Sequence, residues 1–212
     1  MNKYDYIAIE GVIGAGKTSL ATMLAKQHNA RLVLEEFEDN PFLPKFYEDR
    51  ERYAFQTQLT FLASRFNQQQ RLFEKDMFQE TILSDYIFDK DRIFARLNLS
   101  DDELALYDKI YSIMSGIAAK PDLMVYIQCS VDRLMENIRN RGREYEQHIS
   151  EDYLSELSDS YNHFFKHYTK APVLIIRAND ADFVNNPDHY KAIEHCIFHE
   201  TLTQDRIYLK PT

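Results

Sequence analysis

Apolar residues in this chain come in short continuous runs that alternate with longer stretches of helical period. Tyr6-Ile7-Ala8-Ile9 is the first run and reads as a strand buried on both faces. Leu20, Met23 and Leu24 follow at helical spacing. Arg31-Leu32-Val33-Leu34 predicts a second short strand. Residues 53–75 predict a long helix, because Phe55, Leu59, Leu62 and Phe66 recur at i, i+4, i+7 and i+11. Thr81-Ile82-Leu83, Leu123-Met124-Val125-Tyr126-Ile127 and Val173-Leu174-Ile175-Ile176 supply a third, fourth and fifth strand. Helices are predicted between them over about 102–118, 131–141 and 150–168, with a last one from about 187. Ser100 and Glu103 form a capping-box pair at the start of the 102–118 segment.

Strands separated by helices pair in parallel through right-handed crossovers. The expected architecture is a doubly wound α/β domain with a five-stranded parallel sheet and flanking helices, residues 1–212 forming one unit. Such sheets bind ligands at the carboxyl ends of their strands. Those ends are Glu10–Thr18, Glu35–Glu36, Ser84–Asp85, Cys129 onward and Arg177 onward.

The first end carries the most specific signal. Gly11-Val12-Ile13-Gly14-Ala15-Gly16-Lys17-Thr18 matches the phosphate-loop pattern G-x-x-x-x-G-K-[ST] in full. Glycines let backbone N–H groups turn toward phosphate oxygens, and the following helix aims its positive end at them. Lys17 would meet the β- and γ-phosphates, and Thr18 would ligand Mg²⁺. The chain has five glycines, and three of them stand in this segment, after a predicted strand and before a predicted helix. The loop alone means a nucleotide, not a particular reaction. No N-K-x-D guanine reader is present, and Asp85 is the candidate for a magnesium-side acid.

Composition narrows the partners. The net charge is −9, which disfavours a nucleic-acid polymer, since such binders carry a basic field. No apolar run approaches the roughly 18–20 residues of a membrane span, and the N-terminus has no signal-peptide pattern. Cys129 and Cys196 lack metal-ligand spacing and fit free thiols in a reducing, cytoplasmic setting.

Candidate chemistry then appears at the other strand ends. Arg139-Asn140-Arg141-Gly142-Arg143 closes one predicted helix and precedes another, as a short cationic loop followed by Glu144 and Glu146. Arginines stabilise the charge of a transferring phosphoryl group, although cations also commonly decorate helix C-termini. Glu35 and Glu36 end the second strand, where a carboxylate can accept a proton from an attacking hydroxyl. Gln58 and Arg65 lie nearly two turns apart on the long helix and share a face. A planar amide can hydrogen-bond a nucleobase edge. Phe42, Phe46, Tyr47 and Phe61 are available either to sandwich a base or to fill the core.

Together these residues resemble the deoxyribonucleoside kinase family over roughly residues 5–185. The stretch from Ile9-Glu10-Gly11 to Lys17-Thr18, Glu38-Asp39-Asn40-Pro41-Phe42-Leu43 and Lys45-Phe46-Tyr47 most resemble its bacterial deoxyguanosine and deoxyadenosine kinases. Ser84-Asp85-Tyr86 with Ile93-Phe94-Ala95 leans toward the deoxyguanosine branch. The resemblance implies a P-loop kinase-type fold and ATP-dependent phosphorylation of a deoxyribonucleoside 5′-hydroxyl, with Mg²⁺. It implies that Glu35 contacts that hydroxyl as a general base, that Tyr47 bonds the 3′-hydroxyl, and that Gln58 reads the base with Arg65 nearby. Asp85 matches the acid of an (E/D)-R-S segment. Arg141, Gly142 and Arg143 match a lid of about 139–147, with Arg139 on the ATP side. Glu146 matches a lid acid that reaches the sugar, and Asp180 to Phe183, with Asp182, match a loop around the ATP adenine. The family also implies a homodimer formed through the 53–75 and 102–118 helices.

Two departures stand out. Tyr86, expected at the substrate, replaces the arginine of (E/D)-R-S, which makes Lys90 or Arg92 the candidate replacement cation. The spacing from Asp85 to Phe94 leaves Lys90 and Asp91 both open as the second base-contacting residue. In addition, Asn137 stands where many relatives carry a lid-helix arginine. A thymidylate-type nucleoside monophosphate kinase would want a cation beside the second strand, and Leu34-Glu35-Glu36-Phe37 is acidic. A regulatory nucleotide-binding module is disfavoured by the dense acceptor-side pattern. A purine preference is the expectation from the resemblance.

Overall fold

The computed structural model describes residues 3–72, 81–179, 181–200 and 206–210. Six parallel strands form one sheet in the order β2-β3-β1-β4-β5-β6. They are β1 (Tyr6–Gly11), β2 (Arg31–Val33), β3 (Ile82–Ser84), β4 (Leu123–Gln128), β5 (Val173–Arg177) and β6 (Arg206–Leu209). All five expected strands are present. The edge strand β6, a four-residue segment, is additional.

The central strands read as continuous apolar runs because both faces are covered. Every residue of β1 is buried, as are Leu123–Ile127 of β4. Helix α1 (Lys17–His28) packs on β1, β2 and β3. The chain leaves β1 toward the β2 edge, returns through β3, then crosses β1 to build β4, β5 and β6. The carboxyl end of β1 therefore opens a crevice, and the phosphate loop sits at its mouth.

Helices α2 (Leu43–Glu48), α3 (Arg50–Arg71), α4 (Lys90–Asn98) and α5 (Asp101–Met114) build the acceptor side. The α3 helix begins three residues earlier than its apolar period suggests, because Asp49 Oδ1 caps Arg52 N at 3.2 Å. Residues 73–75 of the expected helix lie outside the described residues. The capping box of Ser100 and Glu103 is present, and α5 ends where Ser115–Ile117 tighten into a 3₁₀ turn. A separate small core of Leu62, Phe88, Ala95, Tyr107 and Tyr111 locks α3, α4 and α5 together. Helices α6 (Val131–Arg141) and α7 (Glu151–His167) cover the other side, and α8 (Pro187–Phe198) lies along α1 through Tyr190 and Gln27.

The phosphate loop fits this frame tightly. Gly14 has φ +86°, and a Cβ there would lie 2.8 Å from the Leu134 carbonyl oxygen and 3.0 Å from Ile138 Cγ1 of α6. Gly16 has φ +90° and is closed over by the Phe183 ring. Both positions require glycine on conformation and on space. Gly14→Ala is expected to lower the free energy of unfolding by about 2 kcal/mol. In urea unfolding the midpoint should drop with the slope unchanged.

Candidate active site

The site has two halves that meet at Asp85, one residue past β3. Asp85 Oδ2 accepts the Thr18 hydroxyl at 2.5 Å, and its Oδ1 accepts the Glu35 backbone N–H at 2.8 Å. One carboxylate thus ties the first turn of α1 to the end of β2. Glu10, fully buried at the root of the loop, supports the same corner. It accepts Gly11 N at 3.1 Å, Ile87 N at 2.9 Å and the Tyr161 hydroxyl at 3.3 Å. Burial pushes its carboxyl pKa up, against the pull of Lys90 and Lys17.

The donor half is a cleft lined by residues 14–19, Cys129, Arg133, Asn137, Asp182 and Phe183, among others. Val12 is buried and Ile13 faces the acceptor cavity. The carbonyls of Gly11 and Val12 accept Lys17 Nζ at 2.8 and 3.2 Å. Ala15 N returns to Val12 O at 3.0 Å and closes the turn. Asn137 Nδ2 donates to Gly14 O at 2.8 Å, so it braces the loop where a longer cation was expected. Burial, reinforced by Lys90, lowers the Lys17 pKa to about 8. Asp182 holds the adjoining turn through Asn185 N at 3.0 Å and Asn185 Nδ2 at 2.9 Å, bonds that lower its pKa. Asp180 lies outside the described residues.

The acceptor half is a cavity lined by aromatic rings, among them Phe37, Phe46, Tyr47, Phe61, Phe94 and Tyr161. Glu35 sits in it between two cations. Arg65 Nε donates to Glu35 Oε1 at 2.9 Å, with Nη2 on the same oxygen, and Lys90 Nζ donates to Oε2 at 2.8 Å. Arg65 Nη1 is ion-paired with Asp91. Burial alone would raise the Glu35 pKa, but Arg65 and Lys90 outweigh it and hold the carboxyl well below the usual range. Such a group accepts hydrogen bonds as a fixed anion and has little proton affinity of its own. Gln58 and Thr57 line the cavity from α3, and Tyr47 lines it from α2 with its ring stacked on Tyr145. Burial pushes the Tyr47 phenol up.

The end of α6 and the segment after it contribute to both halves. Glu146 is buried and pairs with Arg141 at 2.5 Å and Arg143 at 3.2 Å. Arg141 and Arg143 line both clefts, and Arg143 lies over the Phe37 ring at 4.1 Å.

The structure thus brings together Lys17, Thr18, Glu35, Tyr47, Gln58, Arg65, Asp85, Lys90, Arg141, Arg143 and Glu146. Three expected contacts fall elsewhere. Tyr86 is fully buried and turns into the core, so it lines neither cleft. Asp91 is also fully buried and lies behind Arg65 as its counterion. Arg139 is exposed and off the donor cleft, because Arg133, Asn137 and Arg141 at i, i+4 and i+8 occupy the facing side of α6. Helical spacing along α6 would have found Arg133. Of the two replacement cations, Lys90 is at Glu35, whereas Arg92 pairs with Asp108 at 3.1 Å on the outer face of α4. Thr57, Phe37, Phe94 and Tyr161 also line the acceptor cavity and were not read as site residues.

Comparison with known proteins gives a consistent picture. Residues 7–202 match the family described as deoxynucleoside kinase. The chain is 36% identical to the deoxyguanosine kinase of Bacillus subtilis (strain 168), covering 91% of this chain and 96% of that one. It is 31% identical to the deoxyadenosine/deoxycytidine kinase of the same organism, over 90% of each chain. Among solved structures, the deoxyadenosine kinase of M. mycoides with bound dATP superposes with a TM-score of 0.75 at 25% identity, covering 84% of this chain and 92% of that one.

The lowered Lys17 pKa has a measurable consequence. Phosphate oxygens favour the ammonium form, so ATP affinity should be full below pH 8 and fall as pH rises through about 8. Calorimetric titration with ATP across pH 7–9.5 tests this. The Lys17→Met variant should bind weakly with no such step.

Proposed function

The chain belongs to the deoxynucleoside kinase family, and we propose that it transfers the γ-phosphoryl group of ATP to the 5′-hydroxyl of a purine deoxyribonucleoside, giving the 5′-monophosphate. The observation that carries this reading is Glu35, an acceptor-side anion held by Arg65 and Lys90 and joined to the phosphate loop through Asp85. A monophosphate acceptor would need uncommitted cations there, and Arg65 and Lys90 are both taken up by carboxylates. Deoxyguanosine and deoxyadenosine kinases among the relatives support a purine.

In this mechanism the Gly11–Thr18 loop and Lys17 hold the ATP phosphates, with Arg133 and Phe183 beside the nucleotide. Glu35 accepts the 5′-hydroxyl hydrogen bond and aims the oxygen at the γ-phosphorus. Its low proton affinity suits a loose transition state, in which the hydroxyl proton leaves late. Positioning and electrostatics then carry most of the rate. Arg141 and Arg143 exchange Glu146 for the transferring phosphoryl oxygens. Tyr47 and Glu146 hold the sugar, and Gln58 meets the base.

Thr18 Oγ1 and the Asp85 carboxylate are hard oxygen donors 2.5 Å apart beside the loop, which fits Mg²⁺. Among the described residues no cluster of three or more His, Cys, Asp or Glu could hold a metal. When bound, Mg²⁺ would neutralise developing phosphate charge.

We read the whole chain as one kinase domain with a lid over about 139–147, acting as a homodimer. Leu106, Ile113 and Ile117 are exposed at 49%, 81% and 53% and recur at i, i+7 and i+11 on and just past α5, which supports a self-association face. Cys129 and Cys196 are free thiols, in keeping with the cytoplasm. Among the described residues no helix is long and apolar enough to cross a membrane.

Purified enzyme should consume ATP only when a deoxynucleoside is present, with the highest kcat/KM for deoxyadenosine or deoxyguanosine; no stimulation by any deoxynucleoside sinks the reading. Glu35→Gln should lower kcat by about a hundredfold or more while ATP affinity holds. Lys90→Ala should lower kcat by about tenfold, since Glu35 then keeps only Arg65. Unchanged turnover in that variant would remove Lys90 from the mechanism.

A further inference from the structure

We propose that Thr57 is a specificity-determining residue whose side-chain hydroxyl hydrogen-bonds the edge of the nucleobase beside Gln58. This rests on the deoxynucleoside reading of the acceptor cavity. Thr57 is 1% exposed, lines that cavity, and its Oγ1 has no hydrogen-bond partner. A threonine in a helix ordinarily returns its hydroxyl to the carbonyl four residues back. Thr22 does so to Thr18 O at 2.7 Å, and Thr60 to Gln56 O at 2.8 Å. Thr57 forgoes that bond.

Its neighbour shows the same sign. Gln58 is 2% exposed, lines the cavity, and its Oε1 has no partner. Two adjacent buried residues that line one cavity and carry polar atoms without partners leave hydrogen-bonding capacity for a ligand there, because a buried hydroxyl left unpaired is costly. The position is also fixed. The Thr57 carbonyl accepts Asn40 Nδ2 at 3.1 Å, which pins this turn of α3 to the segment before α2. Arg65, which reaches Glu35, lies eight residues on, about 12 Å along the helix axis. Thr57 therefore stands at the far end of the cavity from the reacting hydroxyl, where the base belongs. A hydroxyl both donates and accepts, so with the Gln58 carbonyl it offers a two-point reading of a purine edge.

The test compares wild type with Thr57→Val, which keeps the shape and removes the hydroxyl, and with Thr57→Ser, which keeps the hydroxyl. Kinetics are measured with deoxyadenosine and deoxyguanosine at saturating ATP. Thr57→Val should raise KM for the preferred nucleoside about tenfold, hold kcat within about twofold, and change the ratio of kcat/KM between the two purines. Thr57→Ser should restore KM. Ligand-free Thr57→Val should melt no lower than wild type, while its stabilisation by nucleoside shrinks. If Thr57→Val does not fold, Thr57→Ala judged against Thr57→Ser carries the same comparison. Unchanged KM without the hydroxyl, or a Thr57→Ser variant as impaired as Thr57→Val, overturns the proposal for Thr57 alone. A wild-type enzyme that phosphorylates no deoxynucleoside overturns the reading of the cavity and this proposal with it.

Discussion

Charge balance inside the acceptor cavity governs the design of the molecule. Glu35, Arg65, Lys90 and Asp91 retain 14%, 4%, 4% and 0% of their side-chain exposure. Withdrawing one such ion from water costs several kcal/mol. None is tolerable alone, so the end of β2, the middle of α3 and the first turn of α4 must meet in one register. The small aromatic core of Phe88, Tyr107 and Tyr111 under those helices holds that meeting in place. The network that specifies this half of the fold is also the one that, in the proposed mechanism, presents Glu35 to the substrate.

Its chemistry follows from the same balance. In the proposed mechanism, two cations on one carboxylate leave an anion that orients a hydroxyl firmly and competes poorly for its proton. Phosphoryl transfer tolerates that, because bond breaking to the leaving group runs ahead of nucleophile deprotonation. Asp85 joins this centre to the donor loop, with one oxygen on Thr18 and the other on the Glu35 backbone. A shift of either half is therefore felt by the other.

The sheet and the phosphate loop were legible in the sequence for physical reasons. Strands covered on both faces are written as unbroken apolar runs, and a loop that must approach phosphates is written in glycine. Helix α4 was not legible. Its buried positions include Lys90 and Asp91, and a pattern reading takes charged residues for surface. The same feature hid which of Lys90, Asp91 and Arg92 meets Glu35, since that depends on the rotation of α4. Tyr86 was misread because a residue just past a strand can turn either to the cleft or to the core. The resemblance puts Arg139 on the ATP side, whereas the rotation of α6 turns it outward. Thr57 carried no signal, since its meaning lies in a bond it does not make.

The pairing of Glu146 with Arg141 and Arg143 has a consequence for selectivity among anions. Arg141 and Arg143 already carry a counterion in Glu146. A lone inorganic phosphate offers little that this buried carboxylate does not already provide. A polyphosphate anchored by the glycine loop presents its oxygens at high local concentration and can take the arginines over. On the proposed reading, strong cations can stand near the site in a solution full of small anions without being occupied by them.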